Sequence, residues 1–295
     1  MTAISIRGLV KEYGTKRAVD GLDLDIGTGE VFALLGPNGA GKTTTVEILE
    51  GFRTRDSGEV SVLGEDPEKA NRVWRNRIGI VLQSSAGLDL LTPREIIAST
   101  ARTYATPRAV DDVIAAVGLE EKADERIAGL SGGQRRRLDV GLGIVGRPEL
   151  LFLDEPTTGF DPQARRDFWE LIRSLAAEGT TILLTTHYLD EAEQLADRVG
   201  VIAGGQLLAL DTPANLGGRA SEEATVSWAE GGQRQTLRTA TPTLEVRRLA
   251  ERFSGEVPEL VVSRPTLEDT YLSLIAPHVI DEGAAHTNAS QEVMA

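Results

Sequence analysis

Cysteine is absent from the 295 residues. That excludes disulfides and thiolate metal sites, and it fits a reducing, cytoplasmic setting. Long apolar runs are missing too: none approaches the ~20 residues needed to cross a bilayer. The opening stretch "MTAISIRGLVKEYG" lacks a signal-peptide core, so the chain is expected to remain inside the cell. Positive charge is in deficit, with 31 basic against 45 acidic residues and a net charge of −14. Such a balance disfavours broad contact with a phosphate backbone, and no nucleic-acid partner is expected. What remains, 41% hydrophobic and 26% charged residues, is the composition of an ordinary globular protein with room for one sizeable domain and a smaller second one.

Residues 3–10, 18–26 and 58–63 alternate like short strands separated by glycine turns. "EVFALLG" (30–36), "IGIVLQ" (78–83), "LLFLD" (150–154) and "TTILLTTH" (180–187) are more continuously apolar, as buried parallel strands are. Helical patterns lie between them, which indicates an α/β sheet. Residues 92–146 are helical without intervening strands and read as an insertion in that sheet. "FDPQARRDFWELIRSLAAEG" predicts a helix capped by Asp161, begun by Pro162 and ended by Gly179, with Phe168, Leu171, Ile172 and Leu175 facing inward. The pattern weakens over 211–224 and then restarts as a small α+β segment. Its closing helix, "TLEDTYLSLI", is expected to turn Leu267, Tyr271 and Leu274 inward. The last residues, 278–295, are small and polar and read as a disordered tail.

"GPNGAGKT" fits the G-x-x-x-x-G-K-S/T phosphate loop from Gly36 to Thr43. Its glycines let backbone N–H groups turn toward phosphate oxygens, at the positive end of the following helix. Lys42 is the group to reach the β- and γ-phosphates, and the Thr43 hydroxyl the one to bind Mg²⁺. Asp154 and Glu155 end an apolar strand at the edge where open parallel sheets bind ligands. Asp154 suits a place near the metal, and Glu155 suits the base that polarises an attacking water. His187 and Gln83 end two further strands and are candidates for the same site. A second glycine segment, "LSGGQRRRLDV" (130–140), offers Ser131 as a helix cap, with Gly132 and Gly133 allowing close backbone approach to an anion. At least two of Arg135, Arg136 and Arg137 are expected on a solvated helix face.

The phosphate loop Gly36–Thr44 followed by Gln83, "LSGGQ", "LLFLDEP" and His187, in that order, resembles the nucleotide-binding subunit of an ABC transporter. The resemblance spans residues 1 to about 215. It implies a P-loop NTPase core with an antiparallel β subdomain and a helical subdomain at about 88–146, ahead of the small accessory α+β domain read from the pattern at 216–277. It also implies ATP and Mg²⁺ as cofactors. Gly36, Asn38, Gly39, Gly41, Lys42, Thr43 and Thr44 would hold the nucleotide, and Tyr13 would stack on adenine. Thr43, Gln83 and Asp154 would serve the metal, with Glu155, His187 and Gln83 acting in catalysis. Ser131, Gly132, Gly133 and Gln134 would form the family signature, closing over an ATP held by a second subunit, with Asp161 contacting that subunit. The partners implied are that second, homodimeric ATPase subunit and an integral membrane permease on a separate chain. The chain would then be cytoplasmic and peripheral on the inner face of the membrane. Phe160 departs from the family's usual leucine. "PTLEDTYLSLI" with "THYLDEAEQLADRVGVIAGGQLLALDTPANL" is similar to drug-exporter ATPases of the daunorubicin-resistance type. The alternative is a soluble ATPase of the same cassette type acting on ribosomes or nucleic acid. Against it stand the single cassette, the acidic balance and the lack of a long coiled coil. A GTPase switch is a weaker third reading, since no N-K-x-D motif is found.

Overall fold

The structure, a computed structural model, describes residues 1–81 and 88–278. Gln83 and residues 279–295 of the expected tail lie outside the described residues. The chain divides into two compact units, Met1–Leu208 and Ala209–Ala295. The division falls inside a strand, ahead of the boundary expected near residue 215. The sequence loses its periodicity only after that strand has been completed.

In the first unit, β1 (Thr2–Tyr13), β2 (Lys16–Gly27) and β4 (Ser57–Val62) form an antiparallel sheet in the order β2-β1-β4. Alternate residues such as Ile4, Ile6, Leu22 and Leu24 are buried, the period-two pattern of a half-buried sheet. Between β2 and β4 the chain makes β3 (Val31–Leu35), buried at every residue, and α1 (Lys42–Leu49). After α2 (Arg72–Arg75) and β5 (Ile78–Val81) come the helices α3 (Pro93–Ala101), α4 (Val110–Ala116) and α5 (Gly132–Ile144). Helix α3 starts on a capping box, with Thr92 as the cap and Pro93 as the first residue.

Helix α5 leads to β6 (Leu150–Asp154), α6 (Pro162–Ala177), β7 (Thr181–Thr186), α7 (Leu189–Leu195), β8 (Arg198–Ala203) and β9 (Gln206–Asp211). The main sheet runs β5-β6-β7-β3-β8-β9, and its β5–β6, β6–β7, β7–β3 and β3–β8 pairs are parallel. Helix α6 begins on Asp161, whose Oδ1 accepts from the N–H groups of Gln163 and Ala164 at 2.9 and 2.8 Å. Its buried stripe is Phe168, Leu171, Ile172 and Leu175, the spacing of one helix face. Helix α5 comes close to β5 because neither element has a side chain at the crossing. A methyl group on Gly79 would stand 2.3 Å from the carbonyl oxygen of Gly143.

The second unit holds the antiparallel sheet β11-β10-β12, built from β10 (Ala224–Glu230), β11 (Gln233–Thr239) and β12 (Val261–Ser263), with α8 (Pro242–Arg252) beside it. Val226, Trp228, Leu249 and Val257 make its core, with Phe253 and Leu260 against them. A last helix, α9, covers 267–278. Leu267, Thr270 and Ile275 are its buried residues, while Tyr271 and Leu274 are half-buried. The inward face is thus turned slightly from the one the apolar residues alone suggested. No described helix is long and apolar enough to cross a membrane.

Candidate functional site

Strand register brings most of the sequence-selected residues to one edge. Leu35 of β3 pairs with Thr186 of β7, and Asp154 of β6 pairs with Thr185 of β7. Gly36, Glu155 and His187 each follow one of these strand ends, on three adjacent strands. They therefore share the carboxyl edge of the sheet, where the free ends of strands and the starts of helices leave polar backbone groups available.

The phosphate loop has a shape dictated by its own neighbours. A methyl on Gly36 would meet the carbonyl oxygen of Ile202 at 2.2 Å, and one on Gly41 would meet that of Ala18 at 2.2 Å. Gly41 also has φ +105°, a backbone conformation that L side chains rarely adopt. As the residue before α1 it offers no side-chain cap, so the helix's first N–H groups face the loop's interior. Lys42 is buried, and its Nζ donates to the carbonyl oxygens of Gly36 and Pro37 at 2.7 and 3.0 Å. Burial pushes its ammonium below the ordinary lysine value, while the negative charges of Glu155 and Asp154 act the other way. Thr43 and Asn38 are exposed and Thr44 is half-buried. The β1–β2 turn approaches the same loop, since a methyl on Gly39 would lie 3.8 Å from Lys16 Nζ. Tyr13, at the end of β1, is 41% exposed, and Lys11 Nζ and Arg53 Cζ lie 5.6 and 5.3 Å from its ring centre.

Asp154 and Glu155 are held by β7. Thr185 donates from Oγ1 to Asp154 Oδ1 at 2.5 Å, and the Glu155 N–H donates to the Thr185 carbonyl at 3.0 Å. Glu155 has φ +43°, the left-handed region, which strains any residue with a side chain. That turn aims its carboxylate across to β7's end, where Oε1 lies 3.3 Å from His187 Nδ1. Thr158 donates to the other carboxylate oxygen at 3.4 Å. The Glu155 side chain is 18% exposed and that of His187 is 44% exposed, so the pair is open on the imidazole side.

The second glycine segment forms a capping box at the start of α5. Ser131 Oγ accepts from the Gln134 N–H at 3.2 Å, and Gln134 Oε1 accepts from the Ser131 N–H at 2.9 Å. Among the described residues, Gly132 has no atom within 4 Å of where a methyl would stand, and Gly133 meets Ala164 Cβ at 3.4 Å. Asp161 is exposed and is engaged in capping α6. Phe160 packs edge-on against Phe168 with ring centres 5.7 Å apart, so its extra bulk is partly absorbed by the chain's own core.

One of the three arginines departs from the expected solvated face, while Arg135 and Arg137 stay partly exposed. Arg135 pairs with Asp89 at 2.8 Å, Arg137 pairs with Asp167 at 2.7 Å, and Arg136 is buried. Arg136 Nε donates to the Pro156 carbonyl at 3.0 Å, and Nη2 to the Asp154 carbonyl at 2.7 Å. Three groups that touch the site were thus missed from sequence: Arg136, Thr185 and Glu191. Thr185 was visible as a polar residue closing an apolar strand. Glu191, fully buried on α7, has Thr186, Thr157 and Trp169 as polar neighbours, and burial raises its carboxyl pKa.

The chain is similar to known proteins along most of its length. The family model described as ABC transporter matches residues 19–158. The daunorubicin resistance ATP-binding protein DrrA2 of Streptomyces coeruleorubidus is 38% identical, over 92% of this chain and 94% of its own. The Nod factor export ATP-binding protein I of Paraburkholderia xenovorans is 44% identical over 72% of each chain. Among solved structures, cbiO1 of Clostridium perfringens, part of the ABC transporter complex cbiONQ, superposes with a TM-score of 0.68 at 28% identity. It covers 72% of this chain and 90% of its own.

Proposed function

The chain belongs to the family of ABC transporter ATP-binding subunits, and from that premise we propose that it is the ATP-hydrolysing subunit of an exporter whose channel is a separate membrane permease. Hydrolysis is assigned to the unit ending at Leu208, at the shared edge of β3, β6 and β7. The observation that carries the assignment is the placement of Glu155. A strained backbone presents its carboxylate 3.3 Å from His187 Nδ1, on a strand end two places from the phosphate loop.

The parts act as follows. The first N–H groups of α1 and the Lys42 ammonium bind the β- and γ-phosphates of ATP. Lys42 exchanges its bonds to the Gly36 and Pro37 carbonyls for phosphate oxygens. Glu155 accepts the proton of the attacking water as oxygen bonds to the γ-phosphorus and the bond to the β–γ bridging oxygen breaks. His187, beside that carboxylate, orients the γ-phosphate. Tyr13 supplies the face on which adenine stacks.

The oxygen donors fit Mg²⁺. Thr43 offers a hydroxyl at the start of α1, and Asp154 a carboxylate whose other face is fixed by Thr185. Among the described residues no group of three or more acidic, histidine or cysteine side chains could hold a metal ion. That suits a cation that keeps waters and takes phosphate oxygens rather than one needing a protein cage. Gln83 completes this reading as a further ligand. When bound, the ion neutralises charge on the transferring phosphoryl group.

A homodimer with two ATPs at its interface is the assembly that Ser131–Gln134 support. Among the described residues the packing gives no reason for glycine at 132, where a methyl would meet nothing within 4 Å. A nucleotide on a second copy supplies that reason. Relatives named for daunorubicin resistance and for Nod factor export support export as the direction of transport. The Glu155→Gln variant tests the reading. It should bind ATP, form a stable dimer on size exclusion, and turn over ATP about 10²–10⁴-fold more slowly. Near-normal turnover would remove Glu155 from its role as base.

A further inference from the structure

The middle arginine of "QRRRL" touches the catalytic strand, and nothing in the motif reading requires it to. Arg136 lies five residues after Ser131 on the same helix, α5. Its guanidinium bonds the carbonyl oxygens of Asp154 and Pro156, the residues on either side of Glu155. The Glu155 N–H donates to the Thr185 carbonyl of β7 at 3.0 Å. The strained φ of +43° at Glu155 therefore has its N–H fixed by β7 and its flanking carbonyls fixed by α5. A backbone held in a costly conformation relaxes when a constraint is removed, and the carboxylate moves with it.

We propose that Arg136 is the positioning residue for Glu155, carrying the docking of the Ser131–Gln134 cap on a second subunit's nucleotide to the base of its own chain. The proposal rests on the reading of Glu155 as general base and of the cap as the contact for the opposing ATP. Three observations support it. The flanking arginines are engaged elsewhere, Arg135 with Asp89 and Arg137 with Asp167, and neither bonds the carbonyls of the base strand. A cavity of about 350 Å³, lined by Gly132, Arg136, Asp139, Glu155, Thr158 and Phe160, lies between the start of α5 and the loop after β6. The guanidinium bonds run from α5 to the end of β6 and the loop after it. The buried charge is also provided for: Asp139 lies 4.0 Å from Nη1, and Asp154 and Glu191 add negative potential. Burial lowers the Arg136 pKa from its usual value, and those acids oppose the shift. A guanidinium's planar fork reaches two carbonyls at once, which a lysine ammonium does less well.

The full-length chain tests this through Arg136→Gln and Arg136→Lys. ATP turnover is measured against ATP concentration, nucleotide affinity with a fluorescent ATP analogue, and dimerisation in the Glu155→Gln background. The expected result for Arg136→Gln is analogue affinity and KM within about twofold of the parent, retained ATP-driven dimerisation, and kcat lower by about tenfold or more. Arg136→Lys should recover part of that loss, and cooperativity in ATP should fall toward a Hill coefficient of one in both. A folded Arg136→Gln with parental kcat and cooperativity would overturn the proposal. If Arg136→Gln does not fold, Arg136→Lys decides: kcat reduced several-fold at constant KM supports it, and parental kcat overturns it. Failure of the underlying reading is separate. Glu155→Gln would then hydrolyse normally or fail to dimerise with Arg136 intact.

Discussion

The molecule has two glycine-rich helix starts, and they obey different masters. In the phosphate loop, the glycines are required from within: methyl groups on Gly36 and Gly41 would each strike a carbonyl oxygen of the same chain at 2.2 Å. In the cap at Ser131–Gln134, Gly132 faces open space and Gly133 touches only Ala164 Cβ at 3.4 Å. The first site is therefore complete in its shape before any partner arrives. The second meets no such demand from the described residues of its own chain. The same split appears in the polar groups. Lys42 turns its ammonium inward to Gly36 and Pro37, whereas Ser131 and Gln134 use their side chains only to close their own helix end.

The largest expected effect on stability lies in the first region. Gly41→Ala must move a left-handed residue and relieve a backbone clash, which together cost roughly 2–5 kcal/mol. The thermal midpoint should fall by about 5–15 °C. ATP-analogue binding should be lost with it, because the N–H groups of α1 would no longer be presented. A midpoint within about a degree of the parent would show that the loop is not shaped from within, and the comparison would collapse.

The next effect is smaller and belongs to the same region. Glu50 closes α1, is buried, and has its pKa pushed up to about 8 by burial and by the charges of Asp154 and Glu47. Its folded pKa lies above its unfolded one, so folding takes up a proton between about pH 4.5 and 8. The stabilisation is complete below the lower value and is lost as pH rises through the upper one. From pH 6 to 8 the loss amounts to about 2 kcal/mol. Denaturant midpoints at the two pH values should diverge for the parent and converge for Glu50→Gln. Equal slopes in the two proteins would mean that Glu50 titrates alike in both states.

What the sequence made legible follows the same division. The phosphate loop, Asp154, Glu155 and His187 could be placed because each follows an apolar strand, and strand ends in a parallel sheet share an edge. Asp161 and Gly179 announced both ends of α6 through capping chemistry alone. Arg136 was hidden because three adjacent arginines look equivalent as a charge run. Its helix phase held the signal, since Arg136, Val140 and Ile144 recur four apart and all are buried. The engagement of Thr185 with two residues of another strand depends on register, which no local pattern specifies. In the second unit, α9 presents Ile275 rather than Leu274 as its most buried late residue, a difference of one position that apolar content could not resolve.

The smallest expected change in stability is the most decisive for the comparison. Gly132→Ala adds a methyl where no atom lies within 4 Å and where the backbone begins a helix. Alanine favours the helix over glycine, so folding stability should shift by no more than about 0.5 kcal/mol, in the stabilising direction. If the cap is shaped for a nucleotide on a second copy, that methyl stands at the surface the phosphate must approach. Every 1.4 kcal/mol of closed-dimer stability lost is about tenfold in rate. The variant should therefore melt with the parent, bind an ATP analogue as the parent does, and hydrolyse ATP at least about tenfold more slowly. Its specific activity should also keep rising with protein concentration beyond the range where the parent's has levelled off, as a weakened dimer requires. A variant that melts and hydrolyses like the parent would show that glycine at 132 serves no approaching group, and the cap would be only a helix start.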